Sequence, residues 1–243
     1  MKILVTFPLF ADAMPAEQSY DSFNAEDVDI YCIADNPKPD VLELIKRREL
    51  PIKVWNYVDQ FATGCWNQTV EYFLSHPEYD CLRIGFTDVV MQENWKAVLE
   101  ANWDEDQAIF ANFTPNLERL RTVPRDAVAG TKTVHMSGTP ADCVFLSRKL
   151  VELTFPVPED IKLWYNDEYI FSIMRELGYD TVVVENLFAY HYGSCILQGP
   201  YVGESSARIE LDQGNWRAFV RDDMIKKIEE LKKNGLENPK KAS

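Results

Sequence analysis

Tyr79-Asp80-Cys81-Leu82-Arg83-Ile84-Gly85-Phe86-Thr87-Asp88-Val89-Val90 is the stretch on which the fold turns. Cys81–Gly85 is a short, largely apolar run of the kind a parallel strand shows when helices cover both its faces. It stops at Phe86-Thr87-Asp88, a polar corner where a buried strand would reach the sheet edge. Similar units precede it. Residues 3–7 form a strand-like run that includes Thr6, and 28–34 form another that ends at Asp35-Asn36-Pro37. The segment 40–49 reads as a short amphipathic helix, 52–55 as a third strand and 64–75 as a helix with Trp66, Val70, Phe73 and Leu74 near one face. The alternation predicts an α/β fold with a mostly parallel central sheet flanked by helices.

The pattern continues past the opening stretch. Residues 93–101 read as a helix and 107–111 as a strand. Residues 115–138 carry Pro124, Gly130 and Gly138 among charges and read as a long loop or irregular hairpin. Residues 143–146 predict a strand, 147–153 a helix and 181–184 a last strand. Asn166–Leu177 is the clearest helix, with Ile170, Ile173, Met174 and Leu177 on one stripe and Gly178 as its stop. After His191 the composition changes, and Gly199-Pro200 and Gly203 mark loops. Residues 216–233 predict a helix, followed by a frayed tail over 237–243. The division expected is one domain over 1–198 and a C-terminal helical appendage over 199–243.

The 243 residues suffice for a core without staples, and the net charge of -14 repels nucleic-acid phosphates. The cysteines Cys32, Cys65, Cys81, Cys143 and Cys195 are odd in number and widely spaced, as expected of free thiols in a reducing compartment. The N-terminus lacks a signal-peptide pattern, and no run approaches the ~20 apolar residues of a membrane span. The expectation is a cytoplasmic protein.

In open α/β sheets ligands gather at the carboxyl ends of strands. Asp35-Asn36 suits a turn as well as a contact to base or ribose. Thr87-Asp88 suits a loop, or a hard cation that takes few protein oxygens and completes its shell with phosphate. Asp167 opens a helix, where Asn166 suits a cap and a carboxylate meets the positive end of the dipole. His191 is either a structural histidine or a metal ligand. Trp164, Tyr165, Tyr169, Tyr190 and Tyr192 suit either sugar stacking or the core.

Taken in order, these pieces resemble the GT-A glycosyltransferases, particularly their broad family 2-like group, over roughly residues 1–194. The resemblance is carried by Ala34-Asp35-Asn36, Thr63-Gly64-Cys65-Trp66-Asn67, the opening stretch with Trp95 downstream, Asp142-Cys143-Val144-Phe145-Leu146-Ser147-Arg148, Asn166-Asp167-Glu168-Tyr169 through Leu177-Gly178-Tyr179, and Tyr190-His191-Tyr192-Gly193-Ser194. It implies a GT-A fold and transfer of a sugar from a nucleotide-diphosphate sugar, UDP-sugar favoured, to a glycan or other hydroxyl acceptor. It also implies Mn2+ or Mg2+ held by Asp88 and His191. A donor pocket would involve Thr6, Asp35, Asn36, Asn67, Arg83 and Thr87, and Asp167 would be the general base of an inverting displacement. Two departures stand out. The metal motif, often Asp-x-Asp, is Phe86-Thr87-Asp88, which shifts weight to His191. The acceptor-side pair is Asn166-Asp167 in place of Glu-Asp. A sugar-nucleotide or glycan-binding module without catalysis is the non-enzyme alternative. A nucleotidyltransferase is the other, but Phe7-Pro8-Leu9-Phe10-Ala11 offers no glycine-rich or basic phosphate loop.

Overall fold

The structure, a computed structural model, describes residues 1–123, 129–134, 142–193 and 202–234. Pro124 and Gly138 of the expected loop, Ser194, Cys195, Gly199-Pro200 and the tail over 237–243 lie outside the described residues. The strands are β1 (Ile3–Leu9), β2 (Asp29–Asp35), β3 (Ile52–Asn56), β4 (Cys81–Gly85), β5 (Val89–Met91), β6 (Gln107–Phe113), β7 (Lys132–Val134), β8 (Cys143–Ser147) and β9 (Asp180–His191). The helices are α1 (Ala13–Asn24), α2 (Pro39–Arg48), α3 (Phe61–Ser75), α4 (Trp95–Ala101), α5 (Leu117–Thr122), α6 (Arg148–Thr154), α7 (Asn166–Leu177), α8 (Val202–Asn215) and α9 (Arg221–Lys233), with a π-helical turn over Trp216–Val220 between the last two.

One sheet runs β3-β2-β1-β4-β8-β6-β9-β5, and β7 pairs with β9. Its first half is wholly parallel, β3 to β2, β2 to β1 and β1 to β4. The second half is mixed. Strand β8 runs antiparallel to both β4 and β6, β6 and β9 are parallel, and β5 and β7 lie antiparallel to β9. The sheet is therefore parallel where the sequence shows strand–helix alternation, and mixed beyond it.

Period-2 alternation sends side chains to two cores. Leu4, Ile33, Leu82, Ile84, Val144 and Leu146 face α3, α6, α7 and α9. Ile3, Val5, Phe7, Cys32, Cys81 and Phe145 face α1, α2 and α4. Helix α7 buries Tyr169, Ile170, Ile173, Met174 and Leu177. It closes as a Schellman motif, with Gly178 at φ 86°, its N–H on the Arg175 carbonyl and the Tyr179 N–H on that of Met174.

Several elements depart from the sequence reading, α1 among them. The 115–138 stretch, expected as a long loop or irregular hairpin, contains α5 and β7 among its described residues. The last strand extends from the expected 181–184 to twelve residues. Gly203, read as a loop marker, lies inside α8. Among the described residues no helix is long and apolar enough to cross a membrane.

Candidate active site

The carboxyl end of β4 is a crowded corner. Gly85 has φ 144°, and a Cβ there would lie 2.1 Å from the Asp142 carbonyl oxygen. Only glycine allows β8 to start this close. Because β8 runs antiparallel, Gly85 pairs with Cys143, so Asp142 at the start of β8 stands at the carboxyl end of β4. Strand β5 follows directly and pairs Val89 with His191, the last residue of β9. The Tyr192 N–H donates to the Asp88 carbonyl at 3.0 Å, closing the join.

Three side chains meet there. The His191 imidazole contacts Asp88 through Nε2–Oδ2 at 3.1 Å and Asp142 through Nδ1–Oδ2 at 3.3 Å. The Asp88 and Asp142 side chains are 15% and 9% exposed. Phe113 flanks the imidazole, with ring centroids 5.7 Å apart. Burial pushes the Asp142 carboxyl up to about 6; Asp88 and Asp167 push the same way, while His191 and Arg83 oppose them. Burial opposes the charged form of His191, yet the Asp88 hydrogen bond and the Asp142 charge outweigh it and raise the imidazole above its ordinary value. Asp12, left-handed at φ 64° in the turn after β1, is raised by burial and by the charges of Asp40 and Asp88.

Arg83 underlies this corner. It is fully buried on the α1 side of the sheet, its guanidinium 4.8 Å from the Phe23 ring. Nη1 donates to the Thr6 carbonyl at 3.2 Å, and Nη2 donates to the Phe86 and Asp142 carbonyls at 2.9 Å each. A buried cation bonded to three carbonyls ties the middle of β1 to the end of β4 and the start of β8 and sets positive charge near the Asp142 carboxylate.

No protein-family model and no curated protein sequence matches the chain. Solved structures do. GalNAc-T7, solved with UDP, GalNAc and Mn2+, matches at a TM-score of 0.55 and 14% identity, over 86% of this chain and 48% of that one. S. aureus TarS, residues 1–349, matches at 0.55 and 12% identity, over 91% and 73%. The same TarS fragment in complex with UDP matches at 0.53 and 12%, over 90% and 73%. The fold is GT-A-like. This chain spans about half the length of the GalNAc-T7 chain it matches.

On this GT-A-like edge the expected site residues divide into two groups. Asp88 and His191 meet directly, although 103 positions apart. Asp167, in the first turn of α7, lies close enough for its charge to act on Asp142. Asp35, Asn67, Thr6 and Arg83 belong to the frame. Asp35, 3% exposed, accepts from Asn56 Nδ2 at 3.1 Å and from the Gln60 and Phe61 N–H groups at 2.9 and 3.0 Å, so it tethers the start of α3. Asn67 clamps Val157 through both backbone groups, at 2.8 and 3.0 Å. Thr6 is fully buried, with no hydrogen-bond partner on its hydroxyl. Asn36, left-handed at φ 44°, and Thr87 are partly exposed. Of the aromatics, Tyr169 is core, whereas Trp164, Tyr165, Tyr190 and Tyr192 are half-buried.

A divalent cation was expected at Asp88 and His191. Among the described residues no group of three His, Cys, Asp or Glu side chains is arranged to hold a metal. Asp88 Oδ1, however, is buried with no hydrogen-bond partner. That carboxylate oxygen is open to a cation that draws most of its shell from phosphate and water, whereas His191, with both ring nitrogens against carboxylates, would join it only by giving up the Asp88 or the Asp142 contact.

Proposed function

We propose that the chain is a glycosyltransferase that moves a sugar from a nucleotide-diphosphate sugar, UDP-sugar favoured, to an acceptor hydroxyl with inversion. The observation that carries this reading is the Asp88–His191 pair, with its unpartnered carboxylate oxygen, set at the carboxyl edge of a GT-A-like sheet. UDP in the TarS complex and in GalNAc-T7 supports the choice of donor.

Asp88 and His191 would hold Mn2+ or Mg2+, which when bound acts as a Lewis acid on the leaving diphosphate. Asn36 and Thr87 line the donor side, while Thr6, Asp35, Asn67 and Arg83 keep its shape from beneath. Asp167 accepts the acceptor hydroxyl proton as that oxygen bonds to the anomeric carbon and the bond from that carbon to the diphosphate oxygen breaks. A base on the face opposite the leaving group makes the displacement direct, and inversion follows.

A thermal-shift panel of nucleotide diphosphates and nucleotide sugars with Mn2+ tests the reading, because a ligand that binds only the folded chain raises its stability. Selective stabilisation by UDP and one UDP-sugar, with slow release of free sugar, is the expected result. Stabilisation without turnover on any acceptor would leave a binding module, and no stabilisation would remove the donor class.

A further inference from the structure

Asp212 belongs to no part of the site described so far. It lies on α8, in the C-terminal segment, and it is completely buried. Its carboxylate receives three successive backbone N–H groups, from Lys162 at 3.2 Å, Leu163 at 2.8 Å and Trp164 at 3.0 Å. The charge is balanced by Arg208 one turn earlier, Nη2 to Oδ1 at 2.6 Å. Consecutive N–H groups converge on one anion only if the chain curls around it, so the carboxylate dictates the path of 162–164.

That path feeds the start of α7. Tyr165 follows at φ 68°, a left-handed conformation costly for a tyrosine, and Asn166 and Asp167 come next. The same C-terminal segment holds Tyr165 twice more. Gln213 Nε2 donates to its hydroxyl at 3.0 Å, and Trp216 stacks on its ring at a centroid distance of 5.8 Å. On the opposite side the Thr63 N–H of α3 donates to the Lys162 carbonyl at 2.9 Å. Arg208 lies 5.5 Å from the ring of Phe61, whose own N–H is bound by Asp35. The loop before Asp167 is thus gripped between the first turn of α3 and helix α8.

We infer that Asp212 is a positioning residue for the transfer reaction: by gathering the 162–164 amides it sets the exit angle of α7, and with it the place of the Asp167 carboxylate. The inference rests on the transferase reading and gives the C-terminal segment a part in it. A neutral amide at 212 cannot replace the carboxylate, because its NH2 would face N–H donors and the Arg208 guanidinium.

The test compares the full-length chain with Asp212→Asn and Asp212→Glu. The turnover probe is hydrolysis of the UDP-sugar selected by thermal shift, with water as acceptor, and the binding probe is UDP with Mn2+ in calorimetry. Asp212→Asn is expected to lower kcat by about 10²-fold, the cost of displacing a reacting group by about an ångström. UDP affinity and stoichiometry stay at wild-type values, the KM for donor holds, and the amides of 162–164 lose hydrogen-exchange protection. Asp212→Glu, which keeps the charge, recovers part of kcat. Should Asp212→Asn not fold, Gln213→Leu, which removes only the bond to the Tyr165 hydroxyl, is expected to show a smaller fall in kcat at constant KM. An unchanged kcat overturns the inference, as does a kcat that falls in step with the UDP stoichiometry, since that marks loss of folded protein. A wild-type chain that binds UDP but turns over no UDP-sugar overturns the transferase reading, and this inference with it.

Discussion

Asp35 ends β2 and Asp88 lies in the short connection from β4 to β5, yet their oxygens are committed differently. Asp35 lies in the parallel half and takes three N–H donors, so its hydrogen-bonding capacity goes into holding the start of α3. Asp88 lies in the mixed half, keeps one oxygen against His191 and leaves the other buried without a partner. A strand-end carboxylate marks where a ligand can sit, but unsatisfied capacity marks where one is needed. Asp88 Oδ1 is one of several buried polar atoms without a protein partner, and what sets it apart is that it is a carboxylate oxygen next to His191 and Asp142. On the proposed reading the edge has a framework side around Asp35 and a working side around Asp88, His191, Asp142 and Asp167.

The largest expected effect breaks the working side alone. Asp167→Asn should lower kcat by about 10²–10⁴-fold, the range typical of general-base removal, with UDP affinity retained. Initial rates beside calorimetry check this, and near-normal turnover would remove Asp167 from the base role. Asp35→Ala should do the reverse. It strands the Gln60 and Phe61 amides, while Asn56 Nδ2 keeps Gln68, at a cost on the order of 2–4 kcal/mol in urea unfolding. A variant that stays fully stable yet loses UDP binding would put Asp35 on the working side and undo the comparison. Asp88→Ala should weaken the Mn2+-dependent part of UDP binding by about 10–100-fold while costing less stability than Asp35→Ala. An unchanged metal titration would take Asp88 out of the cation site.

The two sides were not equally visible in the sequence. In the parallel half each strand is a compact apolar run, so β1 to β4 and the polar residues at their ends are legible, and the match extends to both bounds of β4 and α7. Strand direction is not written in a short apolar run. Asp142 precedes its strand, and a search of strand carboxyl ends passes it by; only the antiparallel course of β8 brings it beside His191. Strand β9 was truncated because Glu185-Asn186 interrupts its apolar pattern, although it continues to His191. Helix α1 was missed for a related reason. Its buried positions are Pro15, Ala16, Ser19 and Phe23, too mixed to show a stripe. Asp212 falls outside the expected 216–233 helix and carries no signal of its own, since a carboxylate that binds backbone amides needs no partner side chain that a motif could reveal.

The smallest effect is the one that separates Asp142 from its neighbours. Its carboxyl rises from 3.8 to about 6 in the folded chain, chiefly through burial. Between those values the folded protein therefore holds a proton that the unfolded chain has released. Stability from this group is fully present below about pH 4 and is lost as pH rises through about 6, with a slope of at most about 1.4 kcal/mol per pH unit. Asp142→Asn should flatten the stability curve across that window, as read from urea midpoints between pH 4 and 7. Asp35→Asn serves as the contrast, because its carboxyl is also raised by burial but three donors pull it back. If the Asp142 variant keeps the wild-type slope, the charge beside His191 is carried elsewhere. Asp88 would then be the group to replace next, since it is the other carboxylate on that imidazole.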